Sequence, residues 1–153
     1  MAARIKIRDR DTGFKQFFNN IRNNGQGAVD VGVFADSPQI DKAIIHEFGA
    51  PRANIPQRSF IRGTFDEKKR DFTKFLKESV AQNVVRLRSH NKRGLQKLGK
   101  RVQNFIVRRV KAGLIKPALT AAWAARKSRE GYPTHPLERI GDMIADVEVR
   151  VRK

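Results

Sequence analysis

The chain has 153 residues, no cysteine, and 33 Lys and Arg against 15 Asp and Glu, a formal net charge of +18. That length suits one domain, residues 1–153, able to bury a core without covalent staples, and the lack of cysteine excludes a disulfide framework and any thiolate metal site. No apolar run reaches the roughly 18 residues of a membrane span and the first ten residues hold no apolar signal core, so cytoplasmic synthesis, no membrane partner and an anionic partner for the charge are expected.

Arg4, Ile5, Lys6, Ile7 and Arg8 alternate polar and apolar, the period of a half-buried strand. Phe14, Phe17, Phe18 and Ile21 follow at helical spacing, and Asn23, Asn24 and Gly25 supply a stop. Residues 28–34 read as a second strand, broken by Ser37 and Pro38. Asp41 is placed to cap a short helix over Ala43, Ile44, Ile45 and Phe48, closed by Gly49. Residues 50–59, with Pro51 and Pro56, predict an extended loop.

From Gly63 the helical period returns. Phe65, Phe72, Leu76, Val80, Val84 and Leu87 mark one long helix, and Leu95, Leu98, Val102, Phe105, Ile106 and Val110 a second, with Asn91 to Gly94 read as either a break or a kink in one continuous helix. Residues 118–129 are alanine-rich and helical in pattern, with Trp123 as their one large ring. Residues 137–141 predict a helical turn, and 147–151 a closing strand. The expected fold class is α+β: a small, mostly antiparallel sheet built from both ends of the chain, packed with several helices, including long basic ones over about 64–129.

Charge is concentrated in that helical segment. Between Glu78 and Glu130 there is no acidic residue and there are 14 Lys or Arg. Lys92, Arg93, Lys97, Lys100, Arg101, Arg108, Arg109 and Lys111 crowd the second long helix, where Lys97, Lys100, Arg101 and Arg108 share a face opposite the apolar stripe. A merely solvated face mixes signs to gain pairs and limit self-repulsion. An acid-free one points to phosphates or an acidic protein surface. No DNA-reading motif is present, so contact would be nonspecific.

Chemistry finds little to hold. His46 and Glu47 begin a zinc-protease pattern, but the second histidine it needs would stand at position 50, which is Ala50. Gly25, Gln26 and Gly27 lack the rest of a phosphate loop, and no serine sits in a nucleophile elbow. Asp66 and Glu67 are placed to complement the start of the first long helix. No catalytic residue, metal ligand or cofactor is expected, and the chain reads as a non-enzyme.

Three further elements carry a resemblance. Ala43, Ile44, Ile45, His46, Glu47, Phe48 and Gly49 form an A-x-x-H-E-F-G element, and Ile55, Pro56, Gln57, Arg58, Ser59, Phe60, Ile61 and Arg62 form I-P-x-R-x-F-I-R. Leu119 and Thr120, a basic pair at Arg126 and Lys127, then Pro136, Leu137, Gly141 and Met143 give a third in the same order. Over about residues 28–151 the chain resembles the tail-completion, or neck, proteins of tailed phages. It departs from them at Ile140, where the family has Thr.

The resemblance implies a structural virion protein, assembled in the host cytoplasm. It would be a ring subunit at the head–tail junction or tail end, with other copies of itself and neighbouring neck, connector or tail-tube proteins as partners and phage DNA as a nonspecific one. His46, Glu47, Phe48, Gly49, Pro56, Arg58 and Phe60 would then fix a loop or meet a neighbouring subunit, with Arg58 presented outward. Two rivals come from other classes: a nonspecific nucleic-acid-binding protein using the basic helices, and a small hydrolase using His46 and Glu47.

Overall fold

The structure, a computed structural model, describes residues 14–24, 27–86, 92–137 and 141–152. The strand expected over residues 4–8 lies outside them, as do Gly25, Leu87, Asn91 and Ile140. Helix α1 (Phe14–Asn24) leads to strand β1 (Ala28–Gly32), helix α2 (Ile40–Phe48) and a 3-10 turn at Pro51–Ala53. Then come α3 (Arg62–Val85), α4 (Lys92–Lys111), α5 (Ala121–Arg129), the short α6 (Asp142–Ala145) and β2 (Glu148–Arg152). The fold is α+β.

The two strands pair antiparallel, from Ala28 opposite Arg152 to Gly32 opposite Glu148. Alternation then sorts their side chains. Val29, Val31, Val149 and Val151 share the inner, half-buried face, while Asp30, Glu148, Arg150 and Arg152 share the outer one. Outside, Arg152 pairs with Asp30 at 2.5 Å, and Arg150 bridges Asp36 and Glu148 while lying 3.9 Å from the Phe34 ring centroid.

Helix α4 is the axis of the molecule, packed against α3 and against both strands. Its buried stripe is Leu95, Leu98, Val102, Ile106 and Val110, close to the predicted one. The sheet comes very near at Gly99: a Cβ there would stand 2.2 Å from Val149 Cγ1 and 2.7 Å from Val29 Cγ2. Phe60, Phe72, Ala43, Ile115, Met143, Ile144 and Val147 complete the core with this stripe. Phe72 sits between Phe65 and Phe105, each 5.8 Å away between centroids.

Three local expectations are corrected. Gly94 is buried inside α4 rather than in a break. The N-cap of α2 is Gln39, whose N–H donates to Ser37 Oγ at 2.9 Å, and Asp41 lies in the first turn. The region 50–59 is not simply extended, because the 3-10 turn and an Ala50–Ile55 bridge fold it back on itself.

Candidate functional site

The first two sequence elements of the resemblance meet in space around one carboxylate. Helix α3 starts at Arg62 with no acidic residue in its first turn. Helix starts leave backbone N–H groups without intrahelical partners, and here Glu47, at the end of α2, takes them. The N–H groups of Phe60 and Ile61 donate to Glu47 Oε2 at 2.9 and 3.0 Å, and that of Arg62 donates to Oε1 at 3.0 Å. Ser59 Oγ donates to Oε1 at 2.5 Å and accepts from the Gly63 N–H at 3.1 Å. Glu47 is buried, so its charge meets the positive end of α3 without water between them. The expected helix-dipole role of Asp66 and Glu67 is thus corrected: both lie beyond the first turn, and a carboxylate 15 residues before the helix fills it.

Several of the remaining motif residues brace this clasp. The Arg58 N–H donates to His46 O at 2.7 Å, and Gln57 Nε2 to Glu47 O at 3.0 Å. Gly49 turns the chain at φ +78° and ψ 167°, a region close to glycine-only. A Cβ there would stand 2.9 Å from Gln57 N. Phe60 is fully buried in the core, while Pro56 is exposed on the loop. The expectation of Arg58 as an outward-facing residue is overturned, because its side chain is buried and donates to Pro117 O at 2.9 Å and Ala118 O at 3.4 Å. His46 is half-buried, with Nδ1 enclosed and, among the described residues, without a hydrogen-bond partner. Burial, with the Arg58 cation adding to it, holds its imidazole below the ordinary histidine range.

Beside the clasp runs an apolar groove of about 690 Å³. Consecutive residues of β1 and its continuation, Val29 to Phe34, line one side, as an edge-on approach to a strand requires. That edge is unpaired among the described residues, since β1 has β2 as its one neighbour. The far side is built from α2 and α3, where Ile44 is 48 %, Phe48 64 % and Phe65 47 % exposed. Phe65, predicted as part of a core stripe, instead leans into this groove.

A second groove lies between α3 and α4 and is of opposite character. Phe75, Arg93, Gln96, Lys97, Lys100, Arg101, Asn104, Phe105 and Arg108 line it, with no carboxylate among the described residues. At about 100° per residue, the five cations fall within about a 100° arc of α4. Lys111 continues the same arc beyond the groove, and Lys92 starts the helix exposed on its flank. Arg109 does not join them. It turns to the opposite side, where its Nη1 lies 3.2 Å from Glu67 Oε2, which corrects its expected place on the anion-facing surface.

No group of three or more potential metal-ligating side chains occurs among the described residues, and no described helix is long and apolar enough to cross a membrane. No family model, curated protein or solved structure matched the chain.

Proposed function

We propose that the chain is a structural protein of a tailed-phage virion, a ring subunit at the head–tail junction or tail end that completes the tail and joins it to the head. The observation that carries this reading is the apolar groove along the edge of β1 that is unpaired among the described residues. Among the described residues, Ile44, Phe48 and Phe65 stay exposed beside an unpaired strand edge, and such edges invite strand addition. Rings need two different patches on each subunit, joined head to tail. The groove is one, concave. The exposed Phe17, Phe18 and Ile21 of α1 offer a second, convex one.

The ordered motif elements support the phage assignment, and the clasp gives two of them a shared physical reason. Neck, connector or tail-tube proteins are the neighbours this reading names. A hydrolase built on His46 and Glu47 is disfavoured because the Glu47 carboxylate already accepts four hydrogen bonds. Imaging of purified virions carrying a gold-labelled copy of this chain tests the proposal. Label at the neck or tail end is expected, and unlabelled particles would refute it. The cationic groove favours a second reading, a nonspecific nucleic-acid-binding protein, which needs no virion.

A further inference from the structure

The groove between α3 and α4 is more selective than a general excess of positive charge. Arg93 and Arg108 are 15 residues apart, which at 1.5 Å per residue makes a straight stripe about 22 Å long. Among the described residues, none of the five groove cations is within ion-pair distance of a carboxylate. Gln96 and Asn104 add neutral hydrogen-bonding groups between them. Duplex nucleic acid carries a phosphate per about 3.4 Å of axis on each strand, so the stripe runs beside about six phosphates.

The aromatic residues narrow the ligand further. Single-strand binders stack bases on open ring faces. Here Phe75 and Phe105 are half-buried, with Arg101 5.3 Å from the Phe75 centroid and Lys68 5.8 Å from that of Phe105. Trp123, exposed on α5, has Arg126 over its ring at 5.2 Å. An acidic protein partner is also a poorer match, because the centres of protein interfaces are depleted in charge and in lysine. This groove is cationic or amide-lined throughout, apart from its half-buried floor.

We infer that the α3–α4 groove binds the sugar-phosphate backbone of duplex nucleic acid through Arg93, Lys97, Lys100, Arg101 and Arg108, without reading its bases. The inference builds on the second reading above and is independent of where the chain sits in a virion.

Fluorescence anisotropy of the full chain with a labelled 20-base-pair random-sequence DNA duplex tests it, across about 50 to 200 mM salt. Five phosphate contacts predict a slope of log K against log salt of about −4.5, a roughly 500-fold loss of affinity over that range. Replacing Lys97, Lys100 and Arg101 together by Gln should leave a slope of about −1.8 and a roughly 12-fold loss. The equally charged control, Arg52, Lys69 and Lys74 to Gln, should keep the original slope, with circular dichroism showing both variants folded. The inference is overturned if the control loses as much slope as the groove variant. Tighter binding to a 20-nucleotide single strand, or to polyglutamate of matched charge, would overturn it as well. Either failure leaves the assembly reading standing, since that one is decided at the virion neck.

Discussion

Glu47 gathers donors from Ser59, Phe60, Ile61 and Arg62, and truncating it would leave all four without this acceptor, the Phe60 N–H in a buried site and the other three in part-buried ones. Hydrogen bonds to a buried charge are worth about 1.5–3 kcal/mol each in favourable cases, though they do not add. Glu47→Ala is expected to lower unfolding free energy by about 3 kcal/mol, read from urea denaturation; an unchanged midpoint would contradict the clasp. Gly49→Ala should cost about 1–3 kcal/mol, because alanine resists its positive φ and a Cβ would press on Gln57. His46 adds a pH signature. Its folded-state value lies below the ordinary 6.5, so the unfolded chain binds the proton more readily. The stabilisation is complete above pH 6.5 and is lost as pH falls below it. Thermal unfolding of the wild type should therefore drop more steeply below pH 6.5 than that of His46→Gln. From residue types alone the His46–Glu47 pair looked like incomplete chemistry, and its partners were not legible. They lie 12 to 15 residues downstream, a spacing that no helix or strand period brings together.

Helices announced themselves better than contacts did. The apolar periods of α3 and α4 placed both within a few residues, because a repeating stripe is a local property of the chain. What the stripe cannot express is which element packs on it and how closely. Gly94 stood at an expected break or kink, and Gly99 is a poor helix former by propensity, yet both are buried within α4. Gly99 is there because the sheet needs its missing side chain. Gly99→Ala should push Val149 and Val29 outward and destabilise by about 1–3 kcal/mol, despite alanine's better helix propensity. A more stable Gly99→Ala protein by calorimetry would contradict this packing. Asp66 and Glu67 illustrate the same limit from the other side. Acidic residues near a helix start are a sound local signal, but the backbone enters α3 at Arg62, so they fall past the turn where they would count.

Across the whole molecule, charge and apolar surface are segregated. The acid-free run in the sequence becomes the cationic groove of α4, while the apolar groove opens between β1, α2 and α3 on residues that local patterns assign to the core. Ile44, Phe48 and Phe65 are periodic, and periodicity does not distinguish a residue buried in its own domain from one reserved for a neighbour. Replacing Ile44 and Phe48 with Asp should change stability by no more than about 0.5 kcal/mol, as for other exposed sites. In light scattering the same change should shift any self-associated protein to monomer. The reading of this chain as an assembly subunit is tested most directly by a cryo-EM reconstruction of the virion neck. The account predicts copies of the chain in a ring, each with the groove beside β1 covered by a neighbouring protein. A neck without this chain, or a ring in which that groove faces solvent, would contradict it.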